Sequence, residues 1–256
     1  MPATRQPLSV AIITLNAVSQ LEDCLKSARF ADDIVVVDSG STDGTQALAE
    51  RYGARVIAQP WLGFGPQKQF AVESAKHDWV LCLDADERVS PELQAAIEQA
   101  LQKPDAGAYR FPRCNRFLGR YLKHGEGYPD WSLRLFDRRR ARWSDDAVHE
   151  KVVTAAAVGT LRGDLLHDSA ETLAAYLTKQ NRYTSLAADM ALQAGKRASF
   201  GRLAFSPIVR FIKFYLIRQG FRDGLPGLIH IAIGCSNSFF KYAKMLERQK
   251  SDAALR

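Results

Sequence analysis

The sequence predicts an α/β protein: an open sheet of buried strands alternating with helices, followed by a basic, helical C-terminal region. Three observations carry this. Apolar, β-branched runs bounded by turn residues recur four times in the first hundred residues, helix-compatible spacing fills the gaps between them, and from about residue 169 helical spacing replaces strand spacing. The runs are "LSVAIIT" (8–14), "DIVVVD" (33–38), "ARVIA" (54–58) and "WVLCLD" (79–84). They are apolar at successive positions, as strands are when a parallel sheet is covered by helices on both faces. "SQLEDCLKSA", "TDGTQALAERYG" and "FGPQKQFAVESAK" supply the helices, and Gly53 sits where the second should stop. Between 105 and 167 short strands take over, in "AYRFPR", "SLRLFD", "VHEKVVT" and "LRGDLLH". Ser169 is then a candidate cap for a long amphipathic helix ending at Gly195.

With 46% hydrophobic and 25% charged residues in 256, the chain has globular composition and enough apolar material for one large domain with an appendage. Its four cysteines are widely spaced and form no C-x-x-C pair, which argues against a zinc ribbon or a disulfide scaffold and for a reducing compartment. The N-terminal apolar run is short and has no A-x-A cleavage pattern, so a strand and a cytoplasmic location are expected. The charge is uneven: residues 196–256 hold 12 Lys and Arg against 3 Asp and Glu, and the rest of the chain holds 23 against 25. Such a basic end suits nucleic acid, anionic lipid or an anionic substrate.

In an open α/β sheet, ligands collect at the carboxyl ends of the strands. Thr14 and Asn16 follow the first run, Asp38 ends the second, and Asp84, Asp86 and Glu87 follow the fourth. Three carboxylates within four residues repel one another unless a cation or donors offset them. The pair Asp84-x-Asp86 suits a magnesium or manganese ion that bridges diphosphate oxygens. An acidic turn before the helix start "RVSPEL" is the plainer reading, but the place of the pair after a buried strand, in line with Asp38 and Thr14, favours the metal. No G-x-G-x-x-G follows the first strand and no P-loop is present. "SGSTDGTQALAE" half matches a calcium loop, yet Ser39 and Ser41 stand where a hard cation needs carboxylates.

The segments "VAIITLN", "IVVVDSGSTDGT" and "WVLCLDADE", in that order and spacing, resemble the nucleotide-sugar half of family 2 glycosyltransferases of the GT-A fold. "GFGPQKQFA", "YPDWSLRLFDRRRARW", "VHEKV" and "LLHDSAETLAAYLTKQNRYT" are similar to the subgroup of bacterial lipopolysaccharide core glucosyltransferases that extend the inner-core heptose. The resemblance covers nearly the whole chain. It implies a GT-A catalytic domain over residues 1–168, with a donor half to about 104 and an acceptor half over about 105–168, and a helical region over 169–256. It also implies that Thr14, Asn16 and Asp38 cradle the base and ribose of a UDP-sugar, UDP-glucose in this subgroup. Asp84 would face ribose and metal, Asp86 would bind the metal, and Lys68 would neutralise phosphate.

Inverting transfer needs a carboxylate to take the acceptor hydroxyl proton. Asp130, Asp145, Asp146 and Glu150 are the candidates, and Glu150 is favoured because "VHE" opens a strand-like run. His149, on the opposite side of an extended chain, would complete the metal shell or touch phosphate. The subgroup lacks the Glu-Asp pair more usual in the family, so the base stays open between these. The arginines of 137–142 form a solvated turn or meet phosphates of an acceptor glycolipid, and His167, Lys179 and Tyr183 also match the subgroup pattern. The rivals are transfer to a polyprenyl phosphate, or a basic binding module without activity. For nucleic acid the sequence offers no RNP or zinc-knuckle pattern, so none is expected as a partner.

In the last sixty residues Arg210 and Lys213 interrupt one apolar stretch, and His230, Ser236 and Asn237 interrupt the next, so neither suits a spanning helix. On a helical wheel Arg202, Arg210 and Lys213 share one arc, while Phe205, Ile208, Val209, Ile212 and Leu216 share another face. After a turn at 220–224 a second helix returns through Phe239, Lys241, Tyr242 and Lys244. The expectation is a peripheral contact with the anionic inner face of the cell membrane, made by basic residues toward the headgroups, which brings the site to a lipid-linked acceptor.

Overall fold

In the computed structural model, which describes residues 5–146, 150–169 and 172–254, the four apolar runs are strands β1 (Leu8–Thr14), β2 (Asp33–Asp38), β3 (Arg55–Ala58) and β4 (Trp79–Asp84). All pair in parallel, in the order β3-β2-β1-β4. Register sets the site: Thr14 lies opposite Asp38, and Ile13 opposite Asp84, so the carboxyl ends of β1, β2 and β4 meet at one edge. Helices α1 (Val18–Ser27), α2 (Thr45–Arg51) and α3 (Phe64–Glu73) make the crossovers. Leu21 and Leu25 of α1 and Leu48 of α2 pack with Val10, Ile12 and Leu81 on one face. Ala71 and Val72 of α3 cover Ala11, Val35, Val37 and Val80 on the other. That two-sided burial is why the strand sequences do not alternate. Gly53, with φ +80°, follows the end of α2 in the left-handed conformation that suits glycine.

The chain continues through β5 (Glu87–Val89), α4 (Pro91–Gln102), β6 (Ala108–Phe117), β7 (Arg120–Tyr121), β8 (Asp130–Asp137), β9 (Ala141–Trp143), β10 (Val152–Thr154), β11 (Val158–Thr160) and β12 (Leu165–His167). The sheet order runs on from β4 as β8-β6-β12-β5, with β8 antiparallel to β4. Three-residue β5 was not foreseen in the sequence, because so short a strand shows no period. It pairs antiparallel with β12, and this sets His167 opposite Glu87. Ser90 caps α4 by accepting from the backbone N–H of Leu93, with Pro91 in the first turn.

The antiparallel course of β8 also sorts its ends. Asp137 pairs with Trp79, at the start of β4, so the arginines that follow lie at the sheet edge opposite Asp84. Arg138 donates to the Ala75 carbonyl at 2.7 Å, and Arg139 pairs with Asp137 and Asp78. This cluster ties down a turn and does not adjoin the strand-end carboxylates.

Two units are distinguishable, Met1–Arg113 with Asp130–Asp168, and Cys114–Pro129 with Ser169–Arg256. The segment Cys114–Pro129, expected in the acceptor half, is thus tied to the second unit. The buried Asp223 carboxylate accepts from the backbone N–H groups of Lys123 and His124 and pairs with the His124 ring, and the Gly125 N–H donates to the Arg218 carbonyl. The helices there are α5 (Leu173–Gln193), α6 (Phe200–Phe211) and α7 (Gly224–Ala254), with a π-helical turn at Ile212–Ile217 and a 3-10 turn at Gly220–Asp223. The cap of α5 is Thr172, not Ser169, because the Thr172 hydroxyl is the one that accepts from the Ala175 N–H. Ala188, Ala191, Ala198 and Met245 form this unit's small core. Among the described residues no helix is long and apolar enough to cross a membrane.

Asp33, at the start of β2, gives a testable consequence of the fold. Burial raises its pKa, but hydrogen bonds from Arg55, the Lys76 N–H and Ser9 outweigh that and hold the carboxyl at about 2, against 3.8 in a free chain. A depressed pKa means that the folded state binds this proton more weakly than the unfolded chain. The stability it adds is therefore fully present above pH 3.8 and lost as the pH falls toward about 2. Denaturant melts between neutral pH and pH 2 should show Asp33→Asn less stable than the wild type at neutral pH, with the gap narrowing through this window. A constant gap would contradict the assignment.

Candidate active site

The loops after β1 and β2 are stitched together by their own polar groups. Asn16, at φ +50°, donates its N–H to the Ser41 hydroxyl at 2.8 Å and accepts from the Thr42 N–H at 2.9 Å. The Ala17 N–H donates to the Thr45 hydroxyl, and the Val18 N–H to Asp43. Asp43 thus caps local backbone, and no calcium loop is formed. Beneath, the fully buried Asp38 carboxylate accepts from the Thr14 hydroxyl at 2.8 Å, from the Gly40 and Ser41 N–H groups and from Gln46. Burial raises the Asp38 pKa, and these donors more than reverse it. Thr14, Asn16 and Asp38 are brought together as expected, but with Asp38 spent on organising the loop that a nucleotide would meet.

The acidic knot after β4 finds its counter-charges within the protein. Asp84 Oδ2 accepts from Arg134 Nη2 at 2.8 Å, and its Oδ1 lies 3.2 Å from Lys68 Nζ. Glu87, wholly buried, uses one oxygen on Arg134 at 3.1 Å and the other on the backbone N–H of Asp84 at 2.9 Å. Guanidinium, Glu87 and Asp84 therefore close a ring that fixes the turn. Burial pushes both carboxyls up; Arg134 and Lys68 nevertheless hold Asp84 well below the ordinary carboxylate range, while Glu87 stays raised. Arg134 and Lys68 both lie over the Trp143 ring, with Cζ 5.5 Å and Nζ 4.8 Å from its centroid. Arg134 Nη1 is buried with no hydrogen-bond partner among the described residues, a cost of about 1–3 kcal/mol that the stacking on Trp143 offsets in part.

The other candidates fall around this ring. Lys68, expected on phosphate, is 7% exposed and bridges Asp84 to Glu150 Oε1, at 3.2 Å from each. Gly65, one turn before it, lets α3 approach closely: a Cβ there would come within 2.3 Å of the Ser144 carbonyl oxygen. Asp130 pairs with Arg113 at 2.8 Å, and Arg113 reaches Glu87 at 3.5 Å, so the second base candidate joins the same network. Asp145 is exposed and pairs with Arg142, and Asp146 is exposed. His149 lies outside the described residues. Lys179 and Tyr183 are on α5, in the other unit.

Beside Asp86 stands His167, its Nε2 3.2 Å from Asp86 Oδ2. Among the described residues no group of three His, Cys, Asp or Glu side chains is arranged to hold a metal ion. Asp86 and His167 supply one oxygen and one nitrogen; the carboxylate suits manganese or magnesium with phosphate oxygens and water in the rest of the shell, and the imidazole is the softer ligand of the two. Asp84, Glu87, Asp130 and Glu150 face Lys68, Arg113 and Arg134, and Asp86 stands beside them, paired with His167 and not with a lysine or arginine among the described residues.

Arg134 and Arg113 escaped the sequence reading because a single arginine in a strand reads as a solvated side chain until its distant partner is known. The signal that could have found Arg134 is its place between Leu133 and Leu135 in an otherwise apolar run. Arg134→Met alone should destabilise the fold by roughly 3–5 kcal/mol, since it strands buried carboxylates. Arg134→Met with Glu87→Met should recover much of that in thermal melts. The metal-dependent nucleotide binding expected from the sequence, measured by calorimetry, should stay roughly tenfold or more weaker, because Asp84 has lost the group that aims it. Recovery of both would show that Arg134 only balances Glu87.

The family model described as glycosyl transferase family 2 matches residues 9–159. The lipopolysaccharide core biosynthesis glycosyltransferase LpsC of Rhizobium meliloti (strain 1021) is 35% identical over 250 residues, covering 94% of this chain and 93% of its own. An uncharacterized glycosyltransferase of Rickettsia bellii (strain RML369-C) is 31% identical over 256 residues, 94% of this chain and 86% of its own. Among solved structures, glucosyl-3-phosphoglycerate synthase from Mycobacterium tuberculosis, in complex with Mn2+, UDP and glucosyl-3-phosphoglycerate, aligns with 43% of this chain and 44% of its own at 25% identity and a TM-score of 0.37. S. aureus TarS 1-349 in complex with UDP aligns with 95% of this chain and 92% of its own at 14% identity and a TM-score of 0.48. The family match over more than half the chain and the near full-length relatives establish that this protein belongs to glycosyl transferase family 2, as a glycosyltransferase of the GT-A fold with a helical C-terminal region.

Proposed function

We propose that the protein transfers a sugar, with inversion, from a UDP-sugar to a lipid-linked saccharide, and that the pair is UDP-glucose and a heptose of the lipopolysaccharide inner core. The observation that carries this reading is the strand-end pairing of Asp86 with His167, next to an Asp84 already oriented by Arg134 and Lys68. The relationship to LpsC supports a lipopolysaccharide core acceptor over a polyprenyl phosphate. In this reading the reaction takes place at the inner face of the cell membrane, with the basic C-terminal region toward anionic lipid.

In this mechanism the stitched loops that hold Thr14 and Asn16 bind the base and ribose, and Asp84 orients the ribose side of the donor. Asp86 and His167 hold a divalent metal, manganese or magnesium. When bound, the ion supplies positive charge to the departing diphosphate. Glu150 takes the proton from the acceptor hydroxyl as that oxygen attacks the anomeric carbon; the bond from that carbon to the diphosphate breaks, and UDP leaves. Lys68 holds the Glu150 carboxylate beside the donor half, at 3.2 Å. Asp130, held by Arg113, is the alternative base in the same network.

Two variants test these roles. Asp86→Asn should keep the fold and lower manganese affinity, measured by calorimetry with UDP, by at least the roughly 10- to 100-fold that outer-shell changes already cost. Unchanged binding and turnover would remove Asp86 from the metal site. Glu150→Gln should leave UDP-sugar binding near normal while kcat falls by roughly 10²-fold or more. If Asp130→Asn abolishes transfer and Glu150→Gln does not, Asp130 is the base. A panel of UDP-, GDP- and CDP-sugars, with heptose-terminated glycolipid or polyprenyl phosphate as acceptor, decides donor and acceptor.

A further inference from the structure

Within the second unit, α6 is turned inside out. The side that faces the unit's interior carries Arg210, paired with Glu126, and Ser206, hydrogen-bonded to Ser238. Gly234 on α7 makes room for that ion pair: a Cβ there would collide with the Glu126 carboxylate and lie 3.1 Å from Arg210 Nε. The opposite side faces solvent and is apolar. Phe205 is 66% exposed and Val209 62%, with Ile208 and Ile212 beside them, and no residue of α6 is buried.

The π-helical turn extends this strip. At the α-helical advance of 100° per residue, Ile217 would rotate away from the face of Phe205 and Ile212 toward that of Arg210. In the wider turn each residue advances by less, and the Arg218 N–H bonds the Lys213 carbonyl five residues back. Leu216 and Ile217 both emerge on the outer face, Ile217 at 71% exposure, while Phe214 and Tyr215 turn partly inward. Phe221 and Leu225 add exposed apolar surface just beyond. A contiguous apolar strip of this size marks a contact surface, since monomeric proteins rarely leave one uncovered.

The charges choose the occupant. From residue 196 to 222 the chain has seven Lys and Arg and no Asp or Glu. Arg202, Lys213, Arg218 and Arg222 are all exposed around the strip. Hydrocarbon beneath a layer of phosphates matches an apolar strip with a purely basic rim. We propose that the outer face of α6 and the π-helical turn inserts among the acyl chains of one leaflet, with those four basic residues at the level of the lipid phosphates. This deepens the membrane contact in the proposed function, on which it rests, and changes its physics. Arg210, expected to point toward headgroups, is spent on Glu126, so apolar insertion holds the protein and charge adds to it.

Flotation of the full-length protein tests this with vesicles of neutral phosphatidylcholine and of phosphatidylcholine mixed with anionic phosphatidylglycerol. The wild type should float with both, more tightly with the anionic vesicles at low salt. It should stay bound to both at about 1 M salt, where the Debye length is about 3 Å. Phe205→Ser/Val209→Ser/Ile217→Ser should lose vesicle affinity by roughly tenfold or more, keep its melting temperature, and transfer sugar to a water-soluble acceptor fragment at the wild-type rate. Flotation only with anionic vesicles and release by salt would overturn insertion. So would a triple variant that floats as the wild type does, or one that turns a wild-type dimer into a monomer without changing flotation. Sugar transfer without vesicle binding would overturn the inserted strip alone; vesicle binding without transfer would overturn the catalytic reading alone.

Discussion

The site depends on one buried guanidinium. Arg134 holds Asp84 and Glu87, and without it the end of β4 would place two desolvated carboxylates side by side in the sheet. Its reach follows from topology. β8 runs antiparallel beside β4, and Arg134 adjoins Leu135, which pairs with Leu81. The same strand begins at Asp130, whose partner Arg113 also touches Glu87, so β6 and β8 share one electrostatic network with the carboxylates that follow β4. Lys68, on α3 and over the same Trp143 ring as Arg134, extends it to Glu150. Four carboxylates and three cations share this network, with Glu87, Lys68 and Arg134 buried, so displacement of one of these leaves a neighbour without its partner.

This network also separates the roles of residues that look alike in the sequence. Asp84, Asp86 and Glu87 are adjacent acids, yet Glu87 is wholly buried and braces the turn, Asp84 is aimed by two cations, and Asp86 meets an imidazole. Among the described residues, Asp86 is the one of the three paired with an imidazole. Asp38 resembles Asp84 in ending a parallel strand, but local N–H and hydroxyl donors satisfy it, and it shapes a loop instead of offering a charge.

In the second unit a single ion pair acts in the opposite sense. Arg210 with Glu126 anchors the polar side of α6 inward, and the apolar side is left to face outward. In an ordinary amphipathic surface helix the apolar stripe is the buried one. The inversion gives the helix a surface that water does not favour, and the π-helical turn keeps Leu216 and Ile217 on it.

Much of the parallel sheet was legible from the residues. Unbroken apolar runs at four places, with polar residues at their ends, suffice for a parallel sheet, because strand burial and strand-end ligand sites are local consequences of pattern. Thr14, Asp38 and Asp84 were therefore placed at one edge before any register was known. What only the tertiary structure decided is long-range pairing. The match of β5 with β12 brings His167 to Asp86, the antiparallel course of β8 brings Arg134 to Asp84 and takes the arginines after Asp137 to the far edge, and Glu126 reverses the facing of α6. These contacts join residues from 50 to 84 positions apart. Periodicity reports which face of an element is apolar, but not which distant charge will meet it or whether that face turns in or out.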